Sequence, residues 1–218
     1  MPEYNGLTGI ERMCDYEALL ANLRREGTPR RVHNMELFHD GEIRLAIAER
    51  FGLMDGVDRD DPHFAHKLQI AVHRFCGFDH VSATLVDCPW PQHHVSTEDT
   101  ADLKHAGGRS FVDEHAGPIT NWEQFESYPF PDPHTPSATR DIEWFSENLP
   151  EDMCIIVHTG HFCELLCWLV GYETLCYKLY DDRSLVQALA EKILTFHRVE
   201  IARALAFDRV KCLWGSDD

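Results

Sequence analysis

Met153-Cys154-Ile155-Ile156-Val157 is an unbroken apolar run in a chain whose other strand-like segments alternate. A short run of this kind reads as a strand covered on both faces, which a parallel sheet between helical layers provides. Around it the spacing predicts strands over residues 32–38, 80–86, 153–158 and 210–214. In the first, Val32, Asn34, Glu36 and Phe38 share one face and His33, Met35 and Leu37 the other. In the second, Val81, Ala83 and Leu85 alternate with Ser82 and Thr84. Helical stripes fill the gaps. Tyr16, Leu19, Leu20 and Leu23 follow a capping Asp15; Ile43, Ala46, Ile47 and Phe51 end at Gly52; Phe64, Leu68, Ala71, Val72 and Phe75 end at Gly77. Further helices are expected over 122–127, 137–149, 160–170, 172–180 and from Asp182 through Ala206. Strand and helix alternate throughout, so the fold class is α/β with parallel strands adjacent in chain order.

Composition excludes several function classes. Of 218 residues, 44% are hydrophobic and 26% charged, as in a globular domain and unlike a disordered chain. Twenty Lys and Arg against 37 Asp and Glu leave a net charge of −17, which disfavours nucleic-acid phosphates and anionic membrane surfaces. No apolar run approaches the roughly 20 residues of a membrane span. The first 15 residues carry acids and no apolar core of a signal peptide, so a cytoplasmic location is expected. Eight cysteines occur without a C-x-x-C, and most lie in apolar stretches; they read as small core hydrophobes, Cys163 and Cys167 included. No G-x-G-x-x-G and no G-x-x-x-x-G-K-[ST] is present.

From Asp87 to about Thr120 no period survives. Asp87-Cys88-Pro89-Trp90-Pro91-Gln92-His93-His94 opens the stretch, and His105, Gly107, Gly108, His115, Gly117 and Pro118 follow. Such a stretch is either a functional lid or a surface insertion with a hairpin of its own. In a parallel barrel the chemistry sits where strands end. That position selects Glu36 and His39, Thr84 and Asp87, His158 and His161, and Asp217 and Asp218. Adjacent carboxylates push one pKa upward, so Asp217 and Asp218 are candidates for general acid or base, with His39. Glu36, Thr84, Asp87, His158 and His161 are candidate substrate contacts. His161-Phe162-Cys163 spells His-x-Cys, but no metal ligand is assigned there.

Several segments together resemble the uroporphyrinogen decarboxylase superfamily, which includes the corrinoid-dependent methyltransferases. They are Glu36-Leu37-Phe38-His39-Asp40, Gly117-Pro118-Ile119 leading to Tyr128-Pro129-Phe130-Pro131, Gly171-Tyr172-Glu173 running to Tyr180-Asp181-Asp182, and Trp214-Gly215-Ser216-Asp217-Asp218. The resemblance implies a (β/α)8 TIM barrel, with residues 1–30 a helical extension and 31–218 the N-terminal half, about four strands. It also implies a small-molecule substrate. Within the superfamily the methyltransferase side fits better. The decarboxylase has an arginine-rich first strand, whereas His33-Asn34-Met35-Glu36-Leu37-Phe38-His39-Asp40 has two acids and no arginine. An octacarboxylate would meet repulsion there. The decarboxylase remains the alternative, with a non-catalytic half-barrel needing a partner chain as a third possibility. Zinc, a corrinoid and a corrinoid-protein partner belong, by the resemblance, with a missing C-terminal half. An unclosed sheet predicts weak stability, self-association or rescue by that half, and an isolated chain that is inactive.

Overall fold

The computed structural model describes residues 13–100 and 108–217. Helix α1 (Tyr16–Leu23) begins at Asp15, whose carboxylate accepts the Ala18 N–H at 2.9 Å. Helices α2 (Gly41–Phe51) and α3 (Phe64–Cys76) end at Gly52 and Gly77, both left-handed, a conformation glycine adopts without strain. Strand β1 (His80–Ala83) follows. Strands β2 (His94–Thr97) and β3 (Arg109–Val112) then form an antiparallel hairpin, with His94 opposite Val112 and Thr97 opposite Arg109. The insertion of 87–120 thus carries its own hairpin. Its tip, with His105 and Gly107, lies outside the described residues.

Helix α4 (Trp122–Ser127) is capped by Asn121; a short 3-10 turn (Pro136–Thr139) leads into α5 (Arg140–Asn148). Strand β4 (Cys154–His158), α6 (Cys163–Val170), α7 (Tyr172–Asp181), α8 (Arg183–Ala204) and β5 (Val210–Trp214) complete the chain. The main sheet is parallel in the order β1-β4-β5, with Val81 opposite Ile155 and His158 opposite Trp214. Cys154, Ile155, Ile156 and Val157 are at most 2% exposed, which is the two-sided cover that the apolar run requires. Val81, Ala83, Ile155, Val157 and Val210 pack with Ile142 and Phe145 of α5. A second cluster joins α6 to α8 through Leu165, Leu169, Leu185, Leu189 and Ile193. Each fully buried side chain of this size contributes about 2 kcal/mol of transfer free energy.

The strand expected over 32–38 does not form. A single parallel bridge, Asn34 to Phe78, is all that pairs there. The cause is polar: Arg31 and His33 both turn to Asp79, and the Asn34 amide donates to the Cys76 carbonyl at 3.1 Å. Val32 and Phe38 stay 84% and 71% exposed, so no wall holds the segment extended. Asp79 itself is fully buried at the foot of β1. Its carboxylate also accepts the Asp15 N–H at 2.6 Å, while the Tyr16 N–H reaches the Asp152 carbonyl at 3.2 Å. Helix α1 is therefore docked under the strands, and Cys14 belongs to the main core. It is no separate extension.

The segments around Gly117 and Gly171 pack backbone to backbone. A Cβ on Gly117 would fall 2.3 Å from the Leu169 backbone, and one on Gly171 2.7 Å from the His115 carbonyl oxygen. Only glycine permits this backbone approach. The Tyr128 hydroxyl donates to the Pro91 carbonyl at 2.8 Å, and Asp182 caps α8. All eight cysteines are free. Cys163 is exposed, against the expectation that it packs in the core, because it opens α6 at the sheet's rim.

Candidate functional site

Strands β1 and β4 run parallel, so both end at the same edge, where their following loops leave Thr84, His158 and His161 together. Two cavities open there, and Thr84 lines both. The first, of about 340 Å³, lies between α2, α3 and the end of β1 and includes Phe38, Arg44, His66, Gln69, Ser82 and His158. The second, of about 280 Å³, includes Trp90, His161, Trp168, His197 and Glu200. The largest groove of the three, about 470 Å³, is aromatic and lies on α8 beside Phe125 and Phe130; it contains none of the sequence-derived site residues.

His158 ends β4 with its ring stacked on Trp214, centroids 5.6 Å apart. Burial, then the neighbouring His161 charge, hold its pKa below the usual imidazole value of 6.5. The imidazole is neutral at neutral pH, so it can accept a proton. His161 is already engaged: Nδ1 faces the Ser216 carbonyl and the Glu164 carboxylate, the latter at 2.8 Å, and the ring edges onto Trp168. Beneath it, His197 Nδ1 meets Glu200 at 2.8 Å, and both side chains are buried. Glu200 also lies 3.5 Å from the Gly160 N–H, and a Cβ at Gly160 would come within 2.6 Å of the His197 ring. His161, His197 and Glu200, which line this second cavity, each have a partner.

The first cavity differs. Gln69 Nε2 donates to the Ser82 carbonyl at 3.0 Å, and His66 Nε2 meets Asp141 at 3.2 Å. Yet Arg44 Nε, His66 Nδ1 and Ser82 Oγ are buried with no hydrogen-bond partner. Native proteins leave few such atoms unsatisfied, and each marks strain, water or a ligand.

The remaining candidates are placed elsewhere. Asp217 accepts the Cys163 N–H at 2.9 Å and the Glu164 N–H at 3.0 Å, so it caps α6. Burial raises its pKa, but these backbone hydrogen bonds outweigh burial and leave it below the usual value. It is an ionised capping group with its oxygens aimed at the helix. Asp87 sits at a positive φ of 58° and is bound by Ser137 at 2.7 Å and Arg140 at 2.9 Å. Glu36 is exposed and accepts the adjacent Leu37 N–H. His39 stacks on Phe78 at 5.5 Å, with His73 edge-on at 6.0 Å; neither His39 nor Glu36 lines the two cavities. Asp218 lies outside the described residues. Arg44, His66, Gln69, His197 and Glu200 were not selected by strand-end position, since all five lie on helices.

A zinc site does not fit the groups present. Cys163 has its thiol pKa raised, by burial and then by the Asp217 charge, which opposes the thiolate a metal needs. His161 Nδ1 is already occupied, and no cluster of three or more His, Cys, Asp or Glu among the described residues could hold a metal. Neither cavity is of a size to enclose a corrin ring. No helix among the described residues is long and apolar enough to cross a membrane. No protein-family model, no curated protein and no solved structure matches the chain.

Proposed function

We propose that the chain is a contiguous part of a (β/α)8-type enzyme of the uroporphyrinogen decarboxylase superfamily, on the methyltransferase-like side, acting on a small molecule at the strand mouth. The observation that carries this reading is the pair of cavities meeting at Thr84, with a neutral His158 on the wall of one. A neutral imidazole there can take the proton from a bound thiol or hydroxyl, which leaves the substrate atom as the anionic nucleophile and the imidazole protonated. His161 and Asp217 then act as positioning residues, because their polar atoms are committed to Glu164, Ser216 and the α6 N-terminus. A corrinoid protein enters this reading as a partner, and no step is routed through zinc.

The test is an anaerobic assay with methylcob(III)alamin and a small thiol, read by the cobalamin spectrum and by product chromatography, beside an assay with uroporphyrinogen. Demethylation that disappears in His158→Gln supports the reading. Loss of substrate carboxyls above a no-enzyme control would replace it with the decarboxylase. Inertness toward both, alone and with a chain supplying further barrel strands, would leave a non-catalytic scaffold.

A further inference from the structure

In a chain with 37 acids and 20 bases, a buried guanidinium nitrogen without an acceptor is conspicuous. Arg44 is such a case. Its Nε is buried and unpartnered, and no described carboxylate forms an ion pair with it. Arg44 as a whole is half-buried and its charge is permanent, so the Nε–H is the part of it left unmet. The same cavity holds a second orphan, Ser82 Oγ, at the edge where β1 ends, and a third, His66 Nδ1. Three residues from three different elements, each with an unmet polar atom, line a cavity of about 340 Å³, within the range of roughly 300–1,000 Å³ typical of ligand cavities.

We propose that this cavity is the recognition pocket for a small amphipathic monocarboxylate, held by Arg44 and Ser82 with its apolar body against Phe38, Ala83 and Phe145. The proposal rests on the functional reading above, since it names the class of small molecule that the strand mouth takes. The planar guanidinium edge matches the two oxygens of a carboxylate, and the serine hydroxyl supplies a further donor. The single guanidinium can pair with one carboxylate. Arg44 is the lone cation of fixed charge on the wall, and Asp141, bound to His66, lies on the same wall, so a dianion would meet repulsion. The apolar share of the lining explains why a bare inorganic anion is a poor fit. His66 Nε2 meets Asp141, which fixes the ring on the cavity wall and leaves Nδ1 without a partner.

The experiment uses the full chain and three probes: phenylacetate, its neutral counterpart 2-phenylethanol, and inorganic phosphate. Binding is followed by the histidine ring resonances in NMR titrations, which do not require turnover. Phenylacetate is expected to shift His66 and His158 saturably. 2-Phenylethanol should bind at least about tenfold more weakly, as should phenylacetate to Arg44→Met, the cost of one charge-assisted contact. Ser82→Ala should weaken binding by a smaller factor. Retained phenylacetate binding with no methyl transfer removes the functional reading and keeps this pocket. Equal binding of phenylacetate and 2-phenylethanol by the wild-type chain, or phosphate binding as tight as phenylacetate, overturns the proposal without any variant having to fold.

Discussion

The two cavities at the strand mouth share Thr84 and differ little in volume, yet their polar groups are in opposite states. Around the second, His161, His197 and Glu200 satisfy one another and the nearby backbone. Around the first, Arg44, His66 and Ser82 each leave a buried atom unmet. A satisfied network specifies a packing arrangement, whereas an unsatisfied set stores interaction free energy for something that arrives later. Proximity to the strand ends alone does not separate structural polar groups from binding ones; the hydrogen-bond account does.

The largest effect expected is acid sensitivity, from buried histidines below the cavities. His73 and His80 have pKa values lowered from 6.5 to about 4, in both cases chiefly by burial. The unfolded chain therefore binds more protons between these values. Stability is complete above about pH 6.5 and falls as pH drops toward 4, by about 3 kcal/mol for each histidine. Denaturant titrations across this range should show the fall, and His80→Phe should remove about half of it. A flat profile would mean that burial does not hold these rings neutral.

Next in size is the broken pair. Glu200→Ala leaves His197 buried without its carboxylate and should cost about 3 kcal/mol in chemical denaturation. A loss below about 1 kcal/mol would place the second cavity in the same class as the first. Asp217→Ala uncaps α6 and should cost about 1 kcal/mol at neutral pH. Because the folded pKa of Asp217 is lowered, this contribution is present above its ordinary value of 3.8 and disappears as pH falls through the folded pKa; the variant and the wild type should converge in acid. Smallest is Ser82→Ala. Removing a hydroxyl that has no partner should change stability by less than about 0.5 kcal/mol and in either direction. A loss as large as that of Glu200→Ala would mean that Ser82 has a structural partner, and the contrast between the cavities would dissolve.

Strands β4 and β5 were legible from their apolar content, and the order of pairing followed from the alternation of elements. The segment 32–38 was not legible, because its alternation carries His33, Asn34 and Glu36, and pairing was decided by Asp79, far away in sequence. A buried carboxylate that recruits Arg31 and His33 leaves no mark in a local pattern. The site was half legible. His158, His161 and Thr84 come from a positional rule for parallel strands, and the structure gathers them at one edge. Arg44 and His66 sit among amphipathic helix positions where an exposed polar residue is the ordinary expectation. What distinguishes them is a missing partner, and only the three-dimensional arrangement reveals it.

The tether at Asp79 also has a bearing on how the chain is made. Helix α1 and Asp15 leave the ribosome before their partners, and their contacts wait for Asp79 and then for the Asp152 carbonyl. About 135 residues separate Tyr16 from Asp152, which at cellular elongation rates means a delay on the order of 10 s. Throughout that interval Leu19, which ends 1% exposed, waits for the docking that buries it. Helix α1 is thus synthesised well before the groups that lock it, and its apolar face is available to nascent-chain chaperones throughout that interval.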